Sequence, residues 1–150
     1  MTQSAARRGP TVVLVHGAFA DAGSWAPVTE RLVTAGVPVT ATEPVFGYMS
    51  DAIGLSMRNL RFQLATMNDT EASASDIAAF ERDLREKRVR VLIYNSQATG
   101  TLSQRMLKLA KGSGVPSVSV TETQPAGKTF QQWMLTQLDG LAAALESKGQ

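Results

Sequence analysis

The stretch Val89-Arg-Val-Leu-Ile-Tyr94, followed by Thr101-Leu-Ser-Gln-Arg-Met-Leu-Lys-Leu-Ala-Lys-Gly112 and then Val115-Pro-Ser-Val-Ser-Val120, decides the fold. Two β-rich runs of strand length flank a segment whose Leu102, Met106, Leu109 and Ala110 share one helical face. Thr101 with Gln104 gives that helix an opening signal, and Gly112 gives it a stop. A strand, a crossover helix and a second strand bring the strands parallel, with a right-handed connection. The alternation repeats toward the amino terminus. Thr11–Val15 reads as a strand, Ser24 caps a helix carrying Trp25, Val28, Leu32 and Val33 that Gly36 closes, and Val37–Ala41 is the next strand. Pro38 argues that this strand is starting there or lies at an edge. Glu43–Tyr48 forms a turn into a short helix that ends at Gly54, and Phe62–Met67 is expected as a third strand.

Ser73 with Asp76 opens a helix whose Ile77, Phe80 and Leu84 face the core, while Glu81, Arg82, Asp83, Arg85, Glu86 and Lys87 form its solvated face. Thr129 with Gln132 opens the last helix, with Phe130, Met134, Leu138, Leu141 and Leu145 as its core stripe. The fold class expected is α/β, a single three-layer domain with a mostly parallel sheet of about 4–5 strands flanked by helices. Residues 1–10 read as a flexible tail and 11–150 as the domain.

Composition narrows the chemistry. The chain has 150 residues, 43% hydrophobic and 19% charged, enough apolar side chain to build a core. With no Cys, it has no disulfide, thiolate metal site, iron–sulfur cluster or cysteine nucleophile. With one His, His16, it cannot build a site from two imidazoles. A net charge of +2 with interspersed signs is not a nucleic-acid-binding pattern. No run approaches the roughly 18 apolar residues of a membrane span. The run Val12–Val15 is too short for a secretory leader, so the chain as written reads as cytoplasmic.

The segment Val13-Leu-Val-His16-Gly17-Ala-Phe-Ala-Asp-Ala-Gly-Ser-Trp25 resembles the first strand, oxyanion loop and first helix of α/β-hydrolases. That resemblance covers residues 11–36 and implies an oxyanion donor at Ala18 or Phe19. The rest of a hydrolase is missing. The nearest match to the nucleophile elbow is Gly54-Leu-Ser56-Met-Arg58, with Arg58 where a glycine is needed and no strand leading into Ser56. The only histidine belongs to the oxyanion loop, so no catalytic residue is assigned and an enzyme is not expected.

A larger resemblance covers residues 37–150. The segments Thr42-Glu43-Pro-Val-Phe-Gly-Tyr-Met49, Glu71-Ala-Ser-Ala-Ser-Asp76, Val91-Leu-Ile-Tyr-Asn95-Ser-Gln97, Gly114-Val-Pro-Ser-Val118 and Thr121-Glu122-Thr-Gln-Pro-Ala-Gly-Lys-Thr-Phe130 are similar to the carboxyl-terminal lobe of zinc- and manganese-binding solute-binding proteins of ABC importers. The resemblance implies zinc or manganese as the bound ion, an ABC permease as partner and a periplasmic or cell-surface location. It places Glu43 where the family has a histidine ligand and Glu122 where it has an acidic one. Carboxylates ligate both metals, and replacing an imidazole by one makes the site harder.

The two resemblances together describe a hydrolase-like beginning joined to a solute-binding-protein-like lobe near Gly36–Ala41, as a natural fusion, a gene-prediction artefact or an engineered chimera, or as a truncated protein. If the strands form one parallel sheet, His16, Glu43, Asn95 and Glu122 all follow carboxyl ends and line one edge. His16, Glu43 and Glu122 are therefore the candidate metal ligands. A homodimer, an inactive hydrolase relative and a folded remnant without activity are the other readings.

Overall fold

In the computed structural model, which describes residues 36–98 and 100–147, four strands build one parallel sheet. They are β1 (Val37–Ala41), β2 (Leu55–Arg58), β3 (Leu92–Asn95) and β4 (Ser117–Val120), in the order β2-β1-β3-β4. The expected strand 11–15, helix 24–36 and tail 1–10 lie outside the described residues, as does His16. β1 is internal, flanked by β2 and β3. Pro38 is tolerated there because it precedes the first β1–β3 pair, Thr40↔Leu92, where no ladder bond needs its missing N–H.

The helices are α1 (Gly47–Ala52), which follows a 3-10 turn over Pro44–Phe46, then α2 (Leu60–Met67), α3 (Ala74–Arg85), α4 (Thr101–Gly112) and α5 (Phe130–Glu146). Strand alternation separates two cores. Val39, Leu55, Ile93 and Val118 face one side with Phe46, Ile53, Leu138 and Leu141. Leu92 faces the other with Phe62, Phe80, Leu84 and Met106. The sheet is thus the middle of three layers, as the alternating pattern requires. The Phe62 and Phe80 rings lie 4.5 Å apart, tilted by 52°.

Several expectations change. Residues 62–67 are helical, and the strand expected there is β2, which starts seven residues earlier, at Leu55 rather than Phe62. Gly54 at φ 77° releases the chain from α1 into β2, and Asn59 in the left-handed region (φ 59°, ψ 36°) turns it at once into α2. Phe62–Met67 lacks strict alternation and is rich in helix formers. Ser56 lies inside β2 at the sheet edge, exposed, and not on a strand-to-helix turn. Gly100, rather than Thr101, caps α4.

The last-helix stripe is also narrower than expected: Leu138 and Leu141 are buried, but Phe130 is 55% exposed and meets Trp133 edge-on at 6.0 Å. Asp83 leaves the solvated face of α3 and is buried. The caps of α3 and α5 follow the sequence signals. Ser73 accepts from the Asp76 N–H, and Thr129 and Gln132 form a reciprocal capping box.

Candidate functional site

The chain passes from β1 to β2 on one side of the sheet, then returns to place β3 on the other side of β1. That reversal opens a crevice outside the carboxyl ends of β1 and β3. After β1 the backbone runs toward the layer holding Phe46 and Ile53; after β3 it runs into α4 on the opposite face. The two loops diverge, and the side chains at their roots meet.

Glu43 stands at the root of the first loop in extended conformation (φ −147°, ψ 157°), held there by the following Pro44, which disfavours helical backbone before it. Its carboxylate makes no capping bond to the 3-10 turn. One oxygen, Oε2, accepts from Asn95 Nδ2 at 2.9 Å. Asn95 is the last residue of β3 and is buried.

Glu122 follows β4 in an exposed turn that is tied down on both sides. The Thr121 N–H donates to Gln137 Oε1 (2.9 Å), and Trp133 Nε1 donates to Thr121 Oγ1 (2.7 Å). Gln97 Oε1 accepts the N–H groups of Glu122 and Thr123 at 2.9 and 3.1 Å. Glu43 and Glu122 line one pocket of about 260 Å³ together with Pro44, Val45, Thr66, Met67 and Asp69. Asp69, which the sequence reading did not single out, enters it because α2 is a helix that ends beside the Glu43 turn.

Of the three candidate ligands, the fold thus brings two, Glu43 and Glu122, to one pocket. The sequence reading placed Asn95 on this edge but missed the anchoring by Gln97 and Gln137. Their signal, a glutamine just after a strand and another inside a helix stripe, looks in sequence like any glutamine that faces solvent. Among the described residues, no three His, Cys, Asp or Glu side chains come together closely enough to hold a metal ion. Among them, too, no helix is long and apolar enough to cross a membrane.

Comparison with known proteins bears on this pocket. The chain is similar to the periplasmic zinc binding protein TroA from Treponema pallidum, with 18% identity and a TM-score of 0.60 over 81% of this chain and 47% of that one. It is also similar to the laminin-binding protein Lbp of Streptococcus pyogenes (15% identity, TM-score 0.58, 81% and 46%). A Mn-bound periplasmic metal binding protein from Candidatus Liberibacter asiaticus gives 14% identity and a TM-score of 0.60 over 82% and 47%. The chain therefore spans less than half the length of these solved structures, and at such identities the likeness is one of fold. No curated protein sequence matches it.

The family model described as zinc-uptake complex component A, periplasmic (ZnuA), matches residues 25–144. That match begins inside the hydrolase-like segment 11–36 and crosses the expected junction, so neither the hydrolase resemblance nor the junction has support. The periplasmic description likewise leaves the cytoplasmic reading unsupported. With four-fifths of its length matched, a parallel sheet of the same fold and a carboxylate-lined crevice at the strand ends, the chain belongs to the ZnuA family of zinc-uptake components.

Proposed function

We propose that this chain is a divalent-cation-binding lobe of a zinc- or manganese-uptake solute-binding protein, with Glu43 and Glu122 as ligands. The observation that carries this reading is that both carboxylates line one pocket at the switch point of a ZnuA-family sheet. Oxygen ligands suit manganese as well as zinc. The lobe holds and releases the ion without chemistry, passing it to an ABC permease on the outer side of the membrane.

Two carboxylates do not complete a tetrahedral or octahedral shell, so the remaining positions fall to water, to His16 and to a facing lobe or a second copy of the chain. Calorimetric titration of the full chain with zinc and with manganese tests this reading. Saturable heat that disappears in Glu43→Ala and Glu122→Ala supports it; heat unchanged in both variants overturns it. The same samples run through sedimentation with and without metal test the second copy, and His16→Ala tests the imidazole.

A further inference from the structure

The end of β3 and the loop after it contact both carboxylate-bearing loops through two side-chain amides, Asn95 and Gln97. Because β3 lies between β1 and β4, its loop is the one placed to reach both neighbours. Asn95 Oδ1 accepts the Gln97 N–H at 3.0 Å, which fixes the orientation of the amide and turns its NH₂ toward Glu43. The donor is buried, and it occupies Oε2 of Glu43. Oε1 carries no hydrogen bond, and Oε2 keeps one lone pair.

Two residues further on, Gln97 is exposed yet makes three hydrogen bonds to the Glu122 turn. Its oxygen gathers two successive N–H groups, and its NH₂ donates to Thr123 Oγ1 at 2.7 Å. Among the described residues, the Glu122 carboxylate itself has no hydrogen bond or ion pair, so its placement comes from the backbone that Gln97 holds. The result is one continuous chain of contacts: Glu43, Asn95, the Gln97 backbone, the Gln97 side chain, Glu122.

We propose that Asn95 and Gln97 are positioning residues for the cation: Asn95 orients the Glu43 carboxylate through Oε2, and Gln97 sets the height of Glu122 against it. The proposal rests on the reading of Glu43 and Glu122 as cation ligands. Partners that orient ligating side chains typically change metal affinity by about 10–100-fold when removed. A chain of bonds running from one ligand to the other also couples them, so that disturbing either end is felt at both.

The test is zinc and manganese titration of the full chain in wild type, Gln97→Ala, Gln97→Glu, Glu122→Ala and the double variant Gln97→Ala/Glu122→Ala, with thermal melting of each metal-free protein. Gln97→Ala is expected to lower affinity about 10-fold while its metal-free melting stays near wild type. Gln97→Glu keeps an acceptor for both N–H groups and is expected to retain wild-type binding. In the Glu122→Ala background, Gln97→Ala is expected to add nothing, because the residue it positions is gone.

Wild-type affinity in Gln97→Ala, with Glu122→Ala still impaired, overturns the positioning role and leaves the cation reading standing. An equal, additive loss in the Glu122→Ala background also overturns it. No heat from wild type with either metal removes the cation reading and this proposal with it.

Discussion

Two carboxylates follow or face the carboxyl ends of neighbouring strands in this sheet, and they are treated in opposite ways. Asp83 of α3 meets the end of β2. Arg58 Nε and Nη2 approach its two oxygens at 2.8 and 3.1 Å, and Asn59 Nδ2 adds a third bond at 3.1 Å. Asn59 also donates to Thr40 Oγ1, and Gln63 Nε2 donates to the Arg58 carbonyl, so the network closes on itself. Glu43, one strand away, has a single donor on one oxygen and lines an open pocket. A carboxylate whose lone pairs are filled by a bidentate guanidinium holds structure together. One left half-satisfied at a switch point is available to a ligand. The difference lies in what the fold places opposite each group, since Asp and Glu are chemically near-equivalent.

The comparison can be broken from either side. The largest effect is expected from Asp83→Ala. It strands the Arg58 and Asn59 donors at the β2–α2 turn, where Asn59 already holds a left-handed conformation. Loss of one partner of a buried pair costs about 3–5 kcal/mol, reduced here toward about 2 kcal/mol because the Arg58 side chain is 44% exposed and can find water. Urea denaturation measures this, and the cation response of whatever remains folded should be intact. A loss below about 0.5 kcal/mol, the level of an ordinary surface change, would place Asp83 with the surface charges after all.

Glu43→Ala is next and has the opposite signature. Affinity for zinc or manganese should fall at least about tenfold, equivalent to about 1.4 kcal/mol. Metal-free stability should fall by only about 1 kcal/mol, the low end for a stranded buried donor, because the adjoining pocket lets water reach the Asn95 amide. A large drop in metal-free melting temperature would make Glu43 a second structural carboxylate and erase the contrast.

Thr129→Ala sharpens it. The capping box opens the helix that carries Trp133 and Gln137, the two anchors of the Thr121 turn. Stability should fall by about 1 kcal/mol, and protection of the Thr121 N–H against hydrogen exchange should fall with it. Unchanged exchange would show that Gln97 alone holds the turn.

Asp69→Asn should do least. It lines the same pocket but at an exposed, left-handed position that Asn also tolerates. Stability should stay within about 0.5 kcal/mol, and titration should show cation affinity within about twofold of wild type, with a tenfold loss making Asp69 a third ligand.

The contrast between Asp83 and Glu43 also marks where the sequence stops being readable. On α3, Asp83 stands in a run of charges from Glu81 to Lys87 and looks like its neighbours. Nothing local says that Arg58, 25 residues earlier, will reach it. Glu43 stood out only because its segment, Thr42-Glu-Pro-Val-Phe-Gly-Tyr-Met49, resembles the solute-binding-protein family at a ligand position; by its local features it is a turn carboxylate before Pro44. The strand β2 was missed for a similar reason. Four residues, Leu55–Arg58, are too few for a period to declare itself. Their extended state comes from pairing with Val37–Thr40, while the apolar run that follows, of strand length but rich in helix formers, is helical.

Local rules by themselves determined the alternation of strands and helices, the caps at Ser73 and Thr129, the parallel sheet and the position of Glu43 and Glu122 after their strands. These depend on side-chain period and on hydrogen bonds spanning three or four residues, which the chain carries in its order. Tertiary structure alone decided that β1 is internal, that the switch point falls between β1 and β3, that Asp83 is buried and Glu43 open, and that two amides from one loop hold both carboxylate turns. Each of those depends on which segments, tens of residues apart, share the sheet and its faces, and no local propensity encodes that choice.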